Sequence, residues 1–126
     1  MNVYETKLYM TNESSMDDWR ELKSIMKALA DVARLTIVYH LAHQPEITVT
    51  ALTEQLGISQ PLVSWHLRKL RRAGLLSTRR AGRQVYCSLD HRRFQQGLRL
   101  LETLVDPTIQ KEVLPVGELL LEVEKM

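Results

Sequence analysis

Met16, Trp19, Leu22, Met26 and Leu29 recur three and four residues apart, the spacing of one helix face, and predict a first helix over about 16–29. Ser15 followed by Asp18 resembles a capping box, and Asp17 and Asp18 suit the positive end of that helix. Leu35, Val38 and Leu41 or Ala42 repeat the spacing in a second helix, about 32–43, with Asp31 placed to cap it. Pro45 ends it by disfavouring helical geometry at Gln44. "ITVT", 47–50, is β-branched and alternating and predicts a brief strand. Thr50 is then available to cap a short third helix, "ALTEQL", closed by Gly57 in a left-handed conformation. Ser59 caps a fourth helix, Pro61 occupies its first turn, and it runs to Ala73 before Gly74.

"LLSTRR", "AG" and "RQVYCSL" read as two strands around a tight turn. Asp90 caps a fifth helix whose apolar stripe is Phe94, Leu98, Leu101, Leu104 and Val105. The order predicts a mainly α fold with a small β-hairpin wing, a winged helix-turn-helix. Residues 1–14 are expected as a flexible arm, 15–105 as the winged domain, and 106–126 as a helical extension beginning at Asp106-Pro107. The stripes of the first and last helices, Met16, Trp19, Leu22, Met26, Phe94, Leu98, Leu101, Leu104 and Val105, exceed what so small a monomer needs. They are the expected homodimer interface.

Charge changes this picture more than composition does. The net formal charge of the 126 residues is only +2, yet residues 59–99 hold ten Lys/Arg against the single acid Asp90. A basic middle between acidic ends suggests one face built for a polyanion. On the fourth helix, Val63, Leu67 and Leu70 form the buried seam, leaving Gln60, Pro61, Ser64, Trp65, Arg68 and Arg72 on other sides. Gln60 and Arg68 have the chemistry to read adenine and guanine edges, and Ser64 can bond a base or a phosphate. Lys69, Arg71 and Arg72 suit phosphates. Arg79, Arg80 and Arg83 surround the Gly82 turn, where they can follow a backbone or enter a minor groove. The expected partner is double-stranded DNA. The competing reading is a solvated charged face.

"KALADVARLTIVYHL" (27–41), "ITVTALTEQLGISQPLVSWHLRKLRRAGLL" (47–76) and "GRQVYCSLD" (82–90) resemble the ArsR/SmtB family of bacterial winged-helix repressors. The resemblance covers roughly residues 22–105. It implies a homodimer that occupies an operator until an inducer releases it, with first and last helices at the dimer interface. It carries groove-facing roles to Ser59, Gln60, Pro61, Ser64 and Arg68, and a wing role to Arg83. Trp65 departs from the family's usual His. Stacking on a sugar, pressing on a thymine methyl and packing against the wing all stay open. Cys87 departs from a position where Tyr is common.

Many members of that family sense metal, through a cysteine pair before the recognition helix or Asp/His/Glu sets on the last helix. Residues 50–57 contain no cysteine, and Arg92 and Thr103 stand where last-helix ligands would be needed beside Asp90, His91 and Asp106. The remaining candidates are His40 and His43, three apart, and His91. Helix-dipole compensation explains the first two without metal. His66 is expected as a hydrogen-bonded structural residue. No cofactor is expected, and the inducer is unknown. Cys87 is the only cysteine, expected half-buried in the wing, with Arg79 or Arg80 able to lower its pKa and arm a thiol switch. A lone cysteine fits a reducing cytoplasm. The first residues lack the apolar core of a secretory signal, and no run is apolar enough to span a membrane. No catalytic constellation is visible, so an enzyme is not expected. The alternatives are a metal-responsive repressor with an unfamiliar His site and a winged helix used as a protein-interaction module.

Overall fold

The computed structural model describes residues 13–106 and Thr108; the expectations for the arm up to residue 12 and for most of the carboxy-terminal extension lie outside them. The elements are α1 (Glu13–Leu29), α2 (Val32–His43), β1 (Ile47–Thr48), α3 (Val49–Leu56), α4 (Gln60–Arg72), β2 (Leu76–Ala81), β3 (Gln84–Leu89) and α5 (His91–Val105).

Caps set most boundaries. Asp31 accepts the Arg34 N–H at 3.1 Å to start α2, and Asp90 accepts the Arg93 N–H at 3.1 Å to start α5. Ser59 Oγ accepts the Leu62 N–H at 3.4 Å, with Pro61 in the first turn of α4. Gly57 closes α3 at φ 67°, as the sequence predicts. Two predicted starts are corrected. Ser15 lies inside α1, which extends back to Glu13. Thr48, not Thr50, caps α3, accepting the Ala51 N–H at 3.1 Å. The strand within "ITVT" therefore shrinks to Ile47 and Thr48. A satisfied cap outweighs the few tenths of a kcal/mol by which Val49 and Thr50 disfavour a helix.

The sheet is antiparallel in the order β1-β3-β2. Its third strand is tied on by Ile47↔Cys87 and Thr48↔Tyr86, a pairing of residues far apart in sequence that local patterning does not reveal. The core lies between the helices and the inner face of this sheet, where Ile37, Leu52, Val63, Leu70, Leu75 and Cys87 are fully buried. Gly97 brings α5 close to α1; a Cβ there would lie 3.1 Å from Ile25 Cδ1.

Arg93 links three elements. Its Nε donates to the Ala73 carbonyl at the end of α4 at 3.0 Å, and its Nη1 lies 3.3 Å from Glu21 of α1. Leu22, expected at a subunit contact, is buried within its own chain, and Phe94, expected there too, is half-buried and packs against the core. The apolar faces of α1 and α5 are shared between core and surface, and spacing alone does not divide them. Met16, Met26, Leu98, Leu101, Leu104 and Val105 are exposed, and Trp19 is half-buried.

Candidate nucleic-acid interface

One side of α4 is spent on folding: Val63, His66, Leu67 and Leu70 are buried. The opposite side presents Gln60, Ser64, Arg68 and Arg71 to a cleft of about 480 Å³ between this helix, the start of α3 and the wing. Val49 and Thr50 close one end, and Thr78, Arg79, Arg80, Arg83, Gln84 and Val85 form the wing side. Gly82 turns the hairpin at φ 62°, a conformation that a Cβ would strain. Arg71 Nη1 reaches Thr78 Oγ1 at 3.5 Å across the join between helix and wing.

Five arginines and no acid line this cleft. Among the described residues, Arg68, Arg71, Arg80 and Arg83 form no ion pair. Arg79 differs from the expectation of unneutralised charge. Both carboxylate oxygens of Glu46 accept from its Nε at 3.0 Å, and Nη2 lies 2.8 Å from Oε2. This hydrogen bond raises the Arg79 pKa above the ordinary arginine value. The guanidinium also stacks over Tyr86, 4.3 Å from the ring centroid.

The predicted residues divide into two strips. Gln60, Ser64, Arg68, Arg79, Arg80 and Arg83 share the cleft. Ser59 and Pro61 are exposed at the amino-terminal end of α4. Trp65, Lys69 and Arg72 are exposed but do not line the cleft. The Trp65 ring meets Lys69 Nζ at 5.0 Å, His66 edge-on at 5.0 Å and the Arg34 guanidinium at 5.7 Å. Its ring and cation–π partners lie on α4 and α2. Thr50, Thr78 and Gln84 were not expected at the site. They come with the fold, since no local motif marks them.

A buried polar junction behind α4 was also missed. Arg34 donates from Nε to the Ala28 carbonyl and from Nη1 to His66 Nδ1 at 3.1 Å. A guanidinium only donates, so His66 Nδ1 accepts and its ring proton sits on Nε2. The Arg34 backbone N–H bonded to Asp31 holds that carboxyl below the usual carboxylate range. The available signal was that Arg34 is the sole Lys or Arg in its helix.

His43 Nδ1 donates to the Tyr39 carbonyl at 2.7 Å, and its ring stacks on Tyr39; His40 meets the same ring edge-on. His91 is exposed at the start of α5. Among the described residues no three His, Cys, Asp or Glu side chains come together as a metal site.

Cys87 is fully buried rather than half-buried. Burial pushes its thiol up to about 11, and the opposing cation is Arg71, not Arg79 or Arg80. The thiol switch is thereby corrected: desolvation outweighs the nearby charge. The folded state keeps the proton that the unfolded chain releases near pH 9, so this stabilisation is complete below pH 9 and is lost between about 9 and 11. Wild type should lose about 2–3 kcal/mol more than Cys87→Ala over that interval in urea unfolding. Parallel pH profiles would refute the assignment.

A recognition helix beside a basic hairpin, joined to a helical core through a three-stranded sheet, defines a winged helix-turn-helix DNA-binding transcriptional regulator. Residues 31–78 match the family described as "Bacterial regulatory protein, arsR family". The chain is 32% identical over 100 residues to the Biofilm growth-associated repressor of Xylella fastidiosa, spanning 79% of this chain and 87% of that protein. It is 43% identical over 65 residues to the Arsenic resistance transcriptional regulator ArsR1 of Pseudomonas putida, a match spanning 52% of this chain and about half, 51%, of that relative. HlyU from Vibrio cholerae superposes with a TM-score of 0.56 at 32% identity, covering 63% of this chain and 87% of that one. The chain belongs to the ArsR family of bacterial transcriptional regulators.

Proposed function

We propose that the chain is a repressor that acts as a homodimer on an imperfectly palindromic operator. The observation that carries this reading is the cleft, where four arginines with no acidic partner among the described residues face outward between a recognition helix and a wing. Like charges held this close repel one another, and a phosphate backbone relieves that repulsion. Two recognition helices would enter successive major grooves about 34–36 Å apart. The exposed apolar residues of α1 and α5 supply the subunit contact. Binding of an inducer would release the operator. The only cysteine is buried, which disfavours thiolate capture of a metalloid as the release signal.

Within the site, Gln60 and Arg68 read base edges, Ser64 contacts base or phosphate, and Arg71, Arg80 and Arg83 hold phosphates. Arg68→Ala should cost about 1–3 kcal/mol on the best operator and relax preference at one position per half-site. Arg83→Ala should weaken all sequences alike and lower the slope of log affinity against log salt by about 0.9 per subunit. Binding-site selection with a salt titration checks both. Identical base preferences for wild type and Arg68→Ala would remove Arg68 from readout, and salt-independent binding would remove the arginine clamp altogether.

A further inference from the structure

We infer that Arg79 is not a DNA contact but the latch that positions the wing, with Glu46 as its catch. This rests on the DNA-binding reading only for its consequence; the latch itself is a matter of the sheet. Arg79 pairs in register with Tyr86, and Tyr86 pairs in register with Thr48. Side chains opposite one another in a ladder share a face, and Glu46 stands two residues before Thr48, where an extended chain returns to that face. The Arg79 guanidinium therefore crosses the Tyr86 ring at 4.3 Å and reaches Glu46 beyond the far strand. One side chain spans all three strands.

Its place is also where the sheet changes character. β1 is only Ile47 and Thr48, and its last partner on β3 is Tyr86. Past that row, Arg80↔Val85 and Ala81↔Gln84 continue as a bare two-stranded hairpin. The latch sits at the root of the projecting part and sets the angle at which Arg80 and Arg83 are offered. The forked contact to both carboxylate oxygens fixes direction as well as distance. Exposed pairs are ordinarily weak, but the stacked ring and forked geometry restrict this one. Glu46 has a second effect: it cancels one wing cation, so the hairpin grips phosphate with fewer charges than its sequence carries.

Four variants test this in the full-length protein, using operator and unrelated duplexes. Arg79→Ala should lower operator affinity about three- to ten-fold and leave the salt slope unchanged, whereas Arg83→Ala reduces the slope by about 0.9 per subunit. Glu46→Gln should steepen the slope and raise affinity for unrelated duplex, because it frees Arg79. Amide exchange across residues 80–85 should quicken several-fold in Arg79→Ala while α1–α5 stay protected. The charge-exchanged pair E46R/R79E should restore slow exchange. If Arg79→Ala flattens the salt slope as Arg83→Ala does, or if Glu46→Gln alters neither slope nor unrelated binding, the latch is overturned. If Arg83→Ala has no effect on binding, the DNA reading fails instead. Exchange at the hairpin then still decides, with unchanged rates in Arg79→Ala overturning the latch.

Discussion

Arg34→Met is expected to lower the unfolding free energy by about 2–4 kcal/mol. Methionine keeps the aliphatic bulk and removes the head group, so the loss isolates hydrogen bonding from packing. The guanidinium is buried and satisfies the Ala28 carbonyl at the end of α1 and His66 Nδ1 on α4. Without it both acceptors stay buried and unpaired, each costing on the order of 1–3 kcal/mol, less whatever relaxation recovers. The van der Waals cost should be small, because the two side chains are similar in length. Urea unfolding of wild type, Arg34→Met and Arg34→Lys measures this, the lysine keeping a charge but not the fork. A midpoint shift equivalent to less than about 1 kcal/mol in Arg34→Met would show that the carbonyl and imidazole find other partners. Operator affinity should fall with stability, since His66 lies on the back of the recognition helix whose front lines the cleft.

That junction also marks where sequence reasoning ended. The helices were legible because their signals are local: a capping carboxylate at Asp31 and Asp90, a proline in the first turn of α4, a glycine after α3. The same locality put Ser64 and Arg68 on an outward side of α4, but it grouped Trp65 and Arg72 with them and left Gln60 to the helix end, a division only the cleft makes. What stayed hidden depends on contacts between distant residues. Glu46 and Arg79 are 33 positions apart, Arg34 and His66 are 32 apart, and neither pair has a spacing that a helix or hairpin would announce. Counting charges overstated the free cations for this reason. Arg79 and Arg93 are spent on Glu46 and Glu21 inside the fold, so the basic middle of the chain is less exposed than its composition suggests. Thr48 and Thr50 illustrate a nearer limit: both can cap a helix, and only the pairing of Thr48 with Tyr86 places the boundary. Cys87 shows the reverse error, since neighbouring arginines suggested a reactive thiol and burial decides otherwise.

Leu98→Asp is expected to separate the proposed dimer into monomers and to weaken binding to a two-half-site operator by about 10²–10⁴-fold. Leu98 is 59% exposed on α5, and Leu101, Leu104 and Val105 extend the same apolar surface. Among the described residues nothing covers this stripe, and a carboxylate placed in a closed apolar contact must be desolvated without a partner. The effect on DNA follows from linkage rather than from any lost contact. In a dimer the second recognition helix binds as an intramolecular step, and separation forfeits that effective concentration. The two consequences can therefore be measured apart. Sedimentation should show the mass halving, while affinity for a single half-site stays within about two-fold, because Leu98 lies outside the cleft and substitutions away from a site change it little. An unchanged dimer mass would reject this face of α5 as the interface. Equal losses on half-site and full operator would mean that the substitution had damaged the domain, and circular dichroism with thermal melting of Leu98→Asp would then show it directly.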